Sequence, residues 1–345
     1  WNPNPNSTVE TIKLSGTNAY VGGYFTSIGG QPRNYLANVS LATGNATTWN
    51  PNPNSIVKTL ELFGTTAYVG GSFTSVGGQT RNNLAALNLG NNTATAWNPN
   101  VNGVITRLAV SDSIVYVAGD YTIIAGQNRN RLSSFNVEDG SLTSWNPDVN
   151  GVIYDLQVTG SNIYIGGSFS QVSGYERSNL AAFTKSLGLL RNWNPTTNGY
   201  VTALLAKDNY VYAGGSFTNA GGQTCSNFAI INANTGFPKL FFPVVTGLIN
   251  TFSASNDVLY AGGNISSIDA VNYGGLASFS YPESIFTPTV ENITPIFGGI
   301  GGDISLTING NGFTDGTIIK LTKTGEQPII IPQSSTFIFD GIKIN

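Results

Sequence analysis

Arg107, Asp120 and Asp155 are the residues whose types and spacing could do chemistry. Arg107 and Asp155 stand 48 residues apart, with Asp120 between them. Gathered in one place they would form a small polar binding cluster. The simpler reading is an Arg–Asp ion pair that fixes the register of neighbouring segments. The chain offers little else. It has no His and one Cys, Cys225, beside 18 Asp and Glu and 15 Lys and Arg. Without imidazole there is no Ser-His-Asp triad, no His general base and no His-ligated metal. One thiol cannot make an internal disulfide, a thiolate zinc site or a CxxC pair. Thr224 and Ser226 would not activate it, so Cys225 reads as a small filler. Carboxylate-only catalysis, such as glycoside hydrolysis, would need two acids within roughly 5–10 Å. Glu138, Asp139, Asp208 and Asp257 fall in turns and short connections, where solvated roles suffice. No calcium loop is written in the sequence. No catalytic residue, metal or cofactor is expected.

The elements that would position these residues come from a repeat. Trp1, Trp49, Trp97, Trp145 and Trp193 are each followed by Asn-Pro at a constant interval of 48, and Phe241-Phe242-Pro243 is a degenerate sixth copy. Tyr20, Tyr68, Tyr116, Tyr164, Tyr212 and Tyr260 keep the same interval, each opening a segment of the form Tyr-Val-Gly-Gly. Each unit reads as four short strands: in the first, Val9 to Ser15, Ala19 to Phe25, Leu36 to Leu41 and Thr47 to Asn50. Gly16-Thr17-Asn18, Gly29-Gly30-Gln31-Pro32 and Thr43-Gly44-Asn45 supply the turns. Sustained helical periodicity is absent. Four strands in every ~40–50 residues is the period of a β-propeller blade. The expectation is therefore all-β: a six-bladed β-propeller over residues 1–287, with residues 1–4 completing the last blade. The tenth residue after each Trp, namely Thr11, Thr59, Arg107, Asp155, Ala203 and Thr251, would face the centre. Arg33, Arg81, Arg129 and Arg177 recur on the same grid, with Cys225 and Tyr273 in their place later. They read as forks tying loop carbonyls together.

The pattern changes near Pro288. Residues 288–345 show a Gly-rich turn at Gly298 to Gly302, an alternating Ile304/Leu306/Ile308 segment and a turn at Asn309 to Gly312. Strands are expected at Thr317 to Leu321, Pro328 to Ile331 and Thr336 to Phe339. This is a partial immunoglobulin-like β-sandwich, short of the ~100 residues of a whole one.

The repeated segment Tyr68 to Asn88, followed by Trp97-Asn98-Pro99-Asn100, resembles the delta-60-type propeller repeat that also occurs in Rax2-like cell-polarity proteins. Pro288 to Phe313 resembles the start of an IPT/TIG immunoglobulin-like domain. Both resemblances imply large secreted or surface-attached proteins, and neither implies a reaction.

Composition narrows the partners. Charged residues are 10% of the chain, against roughly 25% in average soluble proteins. A net charge of −3 supplies no basic face for nucleic acid. No apolar run reaches the ~18–20 residues of a membrane span. There is no Met, and Trp1 opens inside a motif, so the chain reads as a processed or partial piece of something longer. Six Asn-x-Ser/Thr sequons, at Asn6, Asn38, Asn45, Asn91, Asn264 and Asn292, are expected on surface loops and suit a glycosylated extracellular protein. The expected function is a non-enzymatic surface, adhesion or appendage protein whose propeller displays a loop face. Its partners would be other protein subunits or surface glycans, with homo-polymerisation through the C-terminal domain. A carbohydrate-binding module using Trp and Tyr is the alternative, and a carboxylate-dependent enzyme the third.

Overall fold

A computed structural model describes residues 1–239, 243–255 and 258–280, and beyond them the strands 289–294, 306–311, 319–321, 329–331, 337–339 and 341–344. The chain forms two compact units, one of residues 1–252 with 261–276 and one of residues 253–260 with 277–345. Every described element is a strand.

The 48-residue period becomes a row of antiparallel sheets. In the first, strands Val9–Ser15, Asn18–Gly23 and Leu36–Ser40 lie in that order. The next four sheets repeat it, opening on Val57–Phe63, Val104–Ser111, Val152–Val158 and Val201–Lys207. A sixth opens on Val245–Ser255. We number these sheets as units one to six. Second strands such as Thr66–Gly71 are buried almost without interruption, not alternately. A strand covered on both faces by neighbouring sheets has no solvent side to carry polar residues.

The fourth strand is a correction. Where Thr47 to Asn50 was expected to extend the sheet, only an isolated bridge between Val39 and Ala46 forms. The same bridge recurs at Leu87–Ala94, Phe135–Leu142, Phe183–Leu190 and Ile231–Pro238. Ala46 N donates to Gly29 O and Thr47 N to Asn38 O, and then Trp49 turns under the next sheet. Pro51 has no N–H with which to continue a ladder. A small hairpin forms instead in the loop between the second and third strands: Ser27–Ile28 pairs with Gln31–Pro32 across Gly29-Gly30. Both glycines have positive φ, 60° and 76°, the left-handed pair that a two-residue hairpin turn requires.

The core lies between sheets, not within them. One cluster joins Tyr20, Leu36 and Trp49 with Val57, Leu60, Ala67 and Val69 of unit two. Equivalent clusters join units two to three, three to four and four to five. Gly22 makes this stacking close. A Cβ there would sit 2.8 Å from Val57 Cγ1 of the next sheet. Residues 1–4, expected to join the last sheet, make their described contacts with unit one. Trp1 Nε1 donates to Ser40 O at 2.8 Å, and Gly29 N donates to Pro3 O at 2.6 Å.

In the other compact unit, Thr289–Thr294, Leu306–Asn311, Gly341–Ile344 and Phe337–Phe339 form a four-stranded antiparallel sheet, and Ile319–Leu321 pairs with Ile329–Ile331. The first and the last of these strands in the chain, 289–294 and 341–344, were not read from the sequence.

Candidate functional site

The first strand of each three-stranded sheet is an edge, with backbone groups that no further strand can satisfy. Side chains of the preceding sheet cover them. Buried Thr59 Oγ1 accepts from Leu108 N at 3.0 Å. Asp155 Oδ2 does the same for Leu204 N at 2.7 Å, and its Oδ1 accepts from Leu156 N at 2.9 Å. In units three and five, one residue before that grid position and where the strand bulges, Thr106 and Thr202 donate to Ile153 O and Ile249 O of the following sheet. Within the row read as centre-facing, Thr59 and Asp155 thus cap the first strand of the following sheet.

Arg107 and Asp155 do meet: Arg107 Nε donates to Asp155 Oδ1 at 3.3 Å, joining units three and four. Asp155 carries three hydrogen bonds inward and is mostly shielded, so the pair is held by the framework on both sides. Asp120 is not brought to it. It stands 3.6 Å from Arg131 Nε, beyond hydrogen-bond range, and its carboxylate is largely exposed. Arg131 explains Asp120. At its grid position Asn83, Asn179 and Asn227 reach across to Val101 O, Thr197 O and Val245 O of the next loop, all from positive φ. Unit three makes the same reach with Arg131 Nη1 to Val149 O, and Asp120 replaces the Ser beside it. The departure therefore swaps both members of one local pair.

Other ion pairs also bridge neighbouring sheets. Lys13 Nζ meets Glu61 at 2.7 Å, and burial holds the Glu61 carboxyl above its ordinary range despite that partner. Lys185 pairs with Asp112 and donates to Ser111 Oγ and Thr159 O. Among the described residues no three His, Cys, Asp or Glu side chains converge in a way that could hold a metal ion.

The loops form a second ordered layer. Asn6 accepts from Thr26 N and Ser27 N and donates to Thr26 Oγ1, clasping the hairpin turn. Asn54, Asn102, Asn150 and Asn198 repeat that clasp. Asn34, Asn82 and Asn130 then donate to Asn52, Asn100 and Asp148 of the next loop, a ladder along exposed side chains. Sequence reasoning missed both, although each Asn recurs on the 48-residue grid. Three of the Arg row tie loop carbonyls as expected: Arg33, Arg81 and Arg177 Nη2 donate to Thr47 O, Thr95 O and Arg191 O, whereas Arg129 donates to the adjacent Asn128 O.

The tryptophans belong to the packing. Trp49, Trp97, Trp145 and Trp193 stand edge-on to Tyr20, Tyr68, Tyr116 and Tyr164 at 5.1–5.8 Å. Their indole N–H groups donate to carbonyls of the following unit. Cys225 is buried, and burial pushes its thiol up to about 11. Of the sequon residues, Asn45, Asn91 and Asn264 are exposed. Asn6 is exposed but committed to its clasp. Asn38 corrects the expectation of a surface loop: it lies buried on a third strand, paired with Tyr20 on the face that packs against unit two. The Asn292 side chain lies outside the described residues.

A family model described as a domain of unknown function (DUF5122) β-propeller matches residues 20–37 and 68–90. No curated protein matches the sequence. Among solved structures, the chain is similar to the computationally designed Ika8 protein, with 14% identity, TM-score 0.54 and coverage of 89% of this chain and 81% of that one. The WD40 domain of Neurospora crassa Pan2 matches at 9% identity and TM-score 0.51, over 74% and 72% of the two chains. The extracellular domain of BT4673 from B. thetaiotaomicron matches at 14% identity and TM-score 0.52, over 84% of this chain and 34% of that one. At these identities the likeness is one of fold. The repeat, the family match and these neighbours together show an all-β repeat protein of β-propeller type.

Proposed function

We propose that the chain is a non-enzymatic extracellular display module, part of a surface, adhesion or appendage protein. In this reading the six 48-residue units are the six blades of a delta-60-type (Rax2-like) propeller. The IPT/TIG-like segment joins it to the next domain or subunit. The observation that carries the reading is the loop layer. Asn clasps and the Asn34–Asn52 type of ladder hold successive loops in fixed register on an exposed polar surface. A rigid, weakly charged loop face suits recognition of a protein subunit or a surface glycan, since little ordering entropy is lost on contact. The charged residues support the non-catalytic side of the reading, because Arg107 and Asp155 are consumed in bracing neighbouring sheets.

Sugar stacking on the repeated Trp rings gains no support, since Trp49 and Trp193 are buried and all four interior rings face Tyr. The test is location: antibody raised against the folded chain is expected to label intact source cells or their appendages, with label lost after brief protease shaving. Labelling seen only after permeabilisation would overturn the extracellular reading.

A further inference from the structure

What recurs in every unit builds the frame, so a binding site is to be sought where a unit departs from the rest. Units four and five depart together, where their first strands leave the loop layer. In units one to five the register of the first strand slips at a bulge, which leaves one residue out of the ladder. In units three and five that residue is Thr106 and Thr202, whose hydroxyls are consumed by backbone carbonyls. In unit four it is Tyr154. Its ring meets that of Tyr200, at the opening of unit five, edge-on with centroids 6.0 Å apart. No other unit carries an aromatic residue at either grid position. Tyr200 is 39% exposed and Tyr154 is half-buried. Among the described residues neither phenol hydroxyl has a protein partner, whereas those of buried Tyr121 and Tyr164 do.

Polar groups stand at the same level. Ser216 N donates to Tyr200 O at 2.9 Å, and Ser168 is paired with Val152, two residues before Tyr154. Both serines are exposed. Asp120 holds the corresponding place in unit three, paired with Val104, with its carboxylate largely exposed. These openings adjoin one another: Thr106 Oγ1 lies 3.1 Å from Ile153 O, and the two Tyr rings bridge units four and five. The loops that lead into them are already held by the Asn150 and Asn198 clasps.

We propose that Tyr154 and Tyr200 form the floor of a binding site for a neutral surface glycan. The proposal rests on the display reading above and gives it a ligand class and a place. A sugar has an apolar C–H face and a rim of hydroxyls. Tyrosine offers the matching combination of an apolar ring and a polar tip. Ser168, Ser216 and Asp120 supply the few orienting hydrogen-bond groups that such a site needs. Charge selects among glycans. Arg107 and Arg131 of unit three are committed to Asp155 and to Val149 O, while Asp120 presents a negative charge. Sialylated and uronic-acid glycans are therefore repelled and neutral ones are not. A proline-rich peptide also stacks on aromatic side chains, but it has no donors of its own to offer this hydroxyl and carboxylate rim.

The test passes three probes over the immobilised full chain: neutral hexose and N-acetylhexosamine oligosaccharides, sialylated oligosaccharides, and a decaproline peptide. Only the neutral oligosaccharides are expected to be retained. Tyr200→Ala should weaken that retention about tenfold or more, as removal of an aromatic anchor does. Tyr154→Ala should act alike, and Tyr200→Phe, which keeps the ring, should keep most of the binding. Tyr175→Ala removes an exposed ring from a separate hairpin and should change nothing. An unchanged circular dichroism spectrum identifies the variants that have folded, and the exposed Tyr200 pair suffices if Tyr154→Ala does not. Failure of the folded chain to retain any neutral oligosaccharide would overturn the proposal. So would retention that survives Tyr200→Ala undiminished, or capture of decaproline or sialylated probes in place of neutral ones. Labelled intact cells without glycan retention would remove this site and leave the display reading standing, so the two can fail separately.

Discussion

Asp155 shows how one carboxylate can look like a site and serve as a joint. It accepts from Leu204 N, Leu156 N and Arg107 at once. Thr59 makes the corresponding cap to Leu108 N with a hydroxyl alone. The cap, more than the charge, is therefore the shared function. Asp155→Ala is expected to cost about 1–3 kcal/mol in denaturant unfolding, because a shielded N–H loses its acceptor. Asp155→Thr should restore most of that loss by copying unit two. Equal losses for both would mean that the ion pair with Arg107 carries the stability. The sequence placed Arg107 and Asp155 together because 48-residue spacing puts equivalent positions on neighbouring sheets. It could not place Asp120, since its partner Arg131 matters through a reach from a left-handed backbone position that the residue type Arg does not announce.

At the scale of elements, strand identity was legible and strand number was not. Alternating Ile12/Leu14 and the Tyr-Val-Gly-Gly segment mark the first two strands, and the turn residues bound them. The fourth strand failed because Trp49 was read as strand when it is a plug between sheets, its N–H bonded to Asn88 O of the next unit. The first Gly of the pair in units one, two, four and five is likewise a packing residue. Gly214→Val is expected to cost more than about 3 kcal/mol, since its Cβ would lie 2.7 Å from Ile249 Cβ of the following sheet. Gly160→Ala, in open space within a turn, should stay within about 0.5 kcal/mol. Thermal unfolding of the two variants separates close stacking from a general intolerance of glycine replacement.

At the scale of the whole molecule, stability belongs to junctions. A sheet alone leaves both its faces without partners, because the buried clusters are shared by neighbours. Residues 49–96 as an isolated unit are expected to show no sheet signal in circular dichroism. Residues 1–239, with four complete junctions, should melt cooperatively, as nearest-neighbour stabilisation of a repeat array requires. A folded single unit would show that the sheets carry their own stability.

The placement of the core between units also bears on how such a molecule can change in length. Each unit ends in one half of a junction and begins with the matching half. Gain or loss of a whole 48-residue segment by recombination would therefore leave every remaining junction complete. A deletion of any other size would split one. The same arrangement makes single substitutions at a junction a matter for two repeats together, so whole-segment copying is the easier route by which this scaffold could vary.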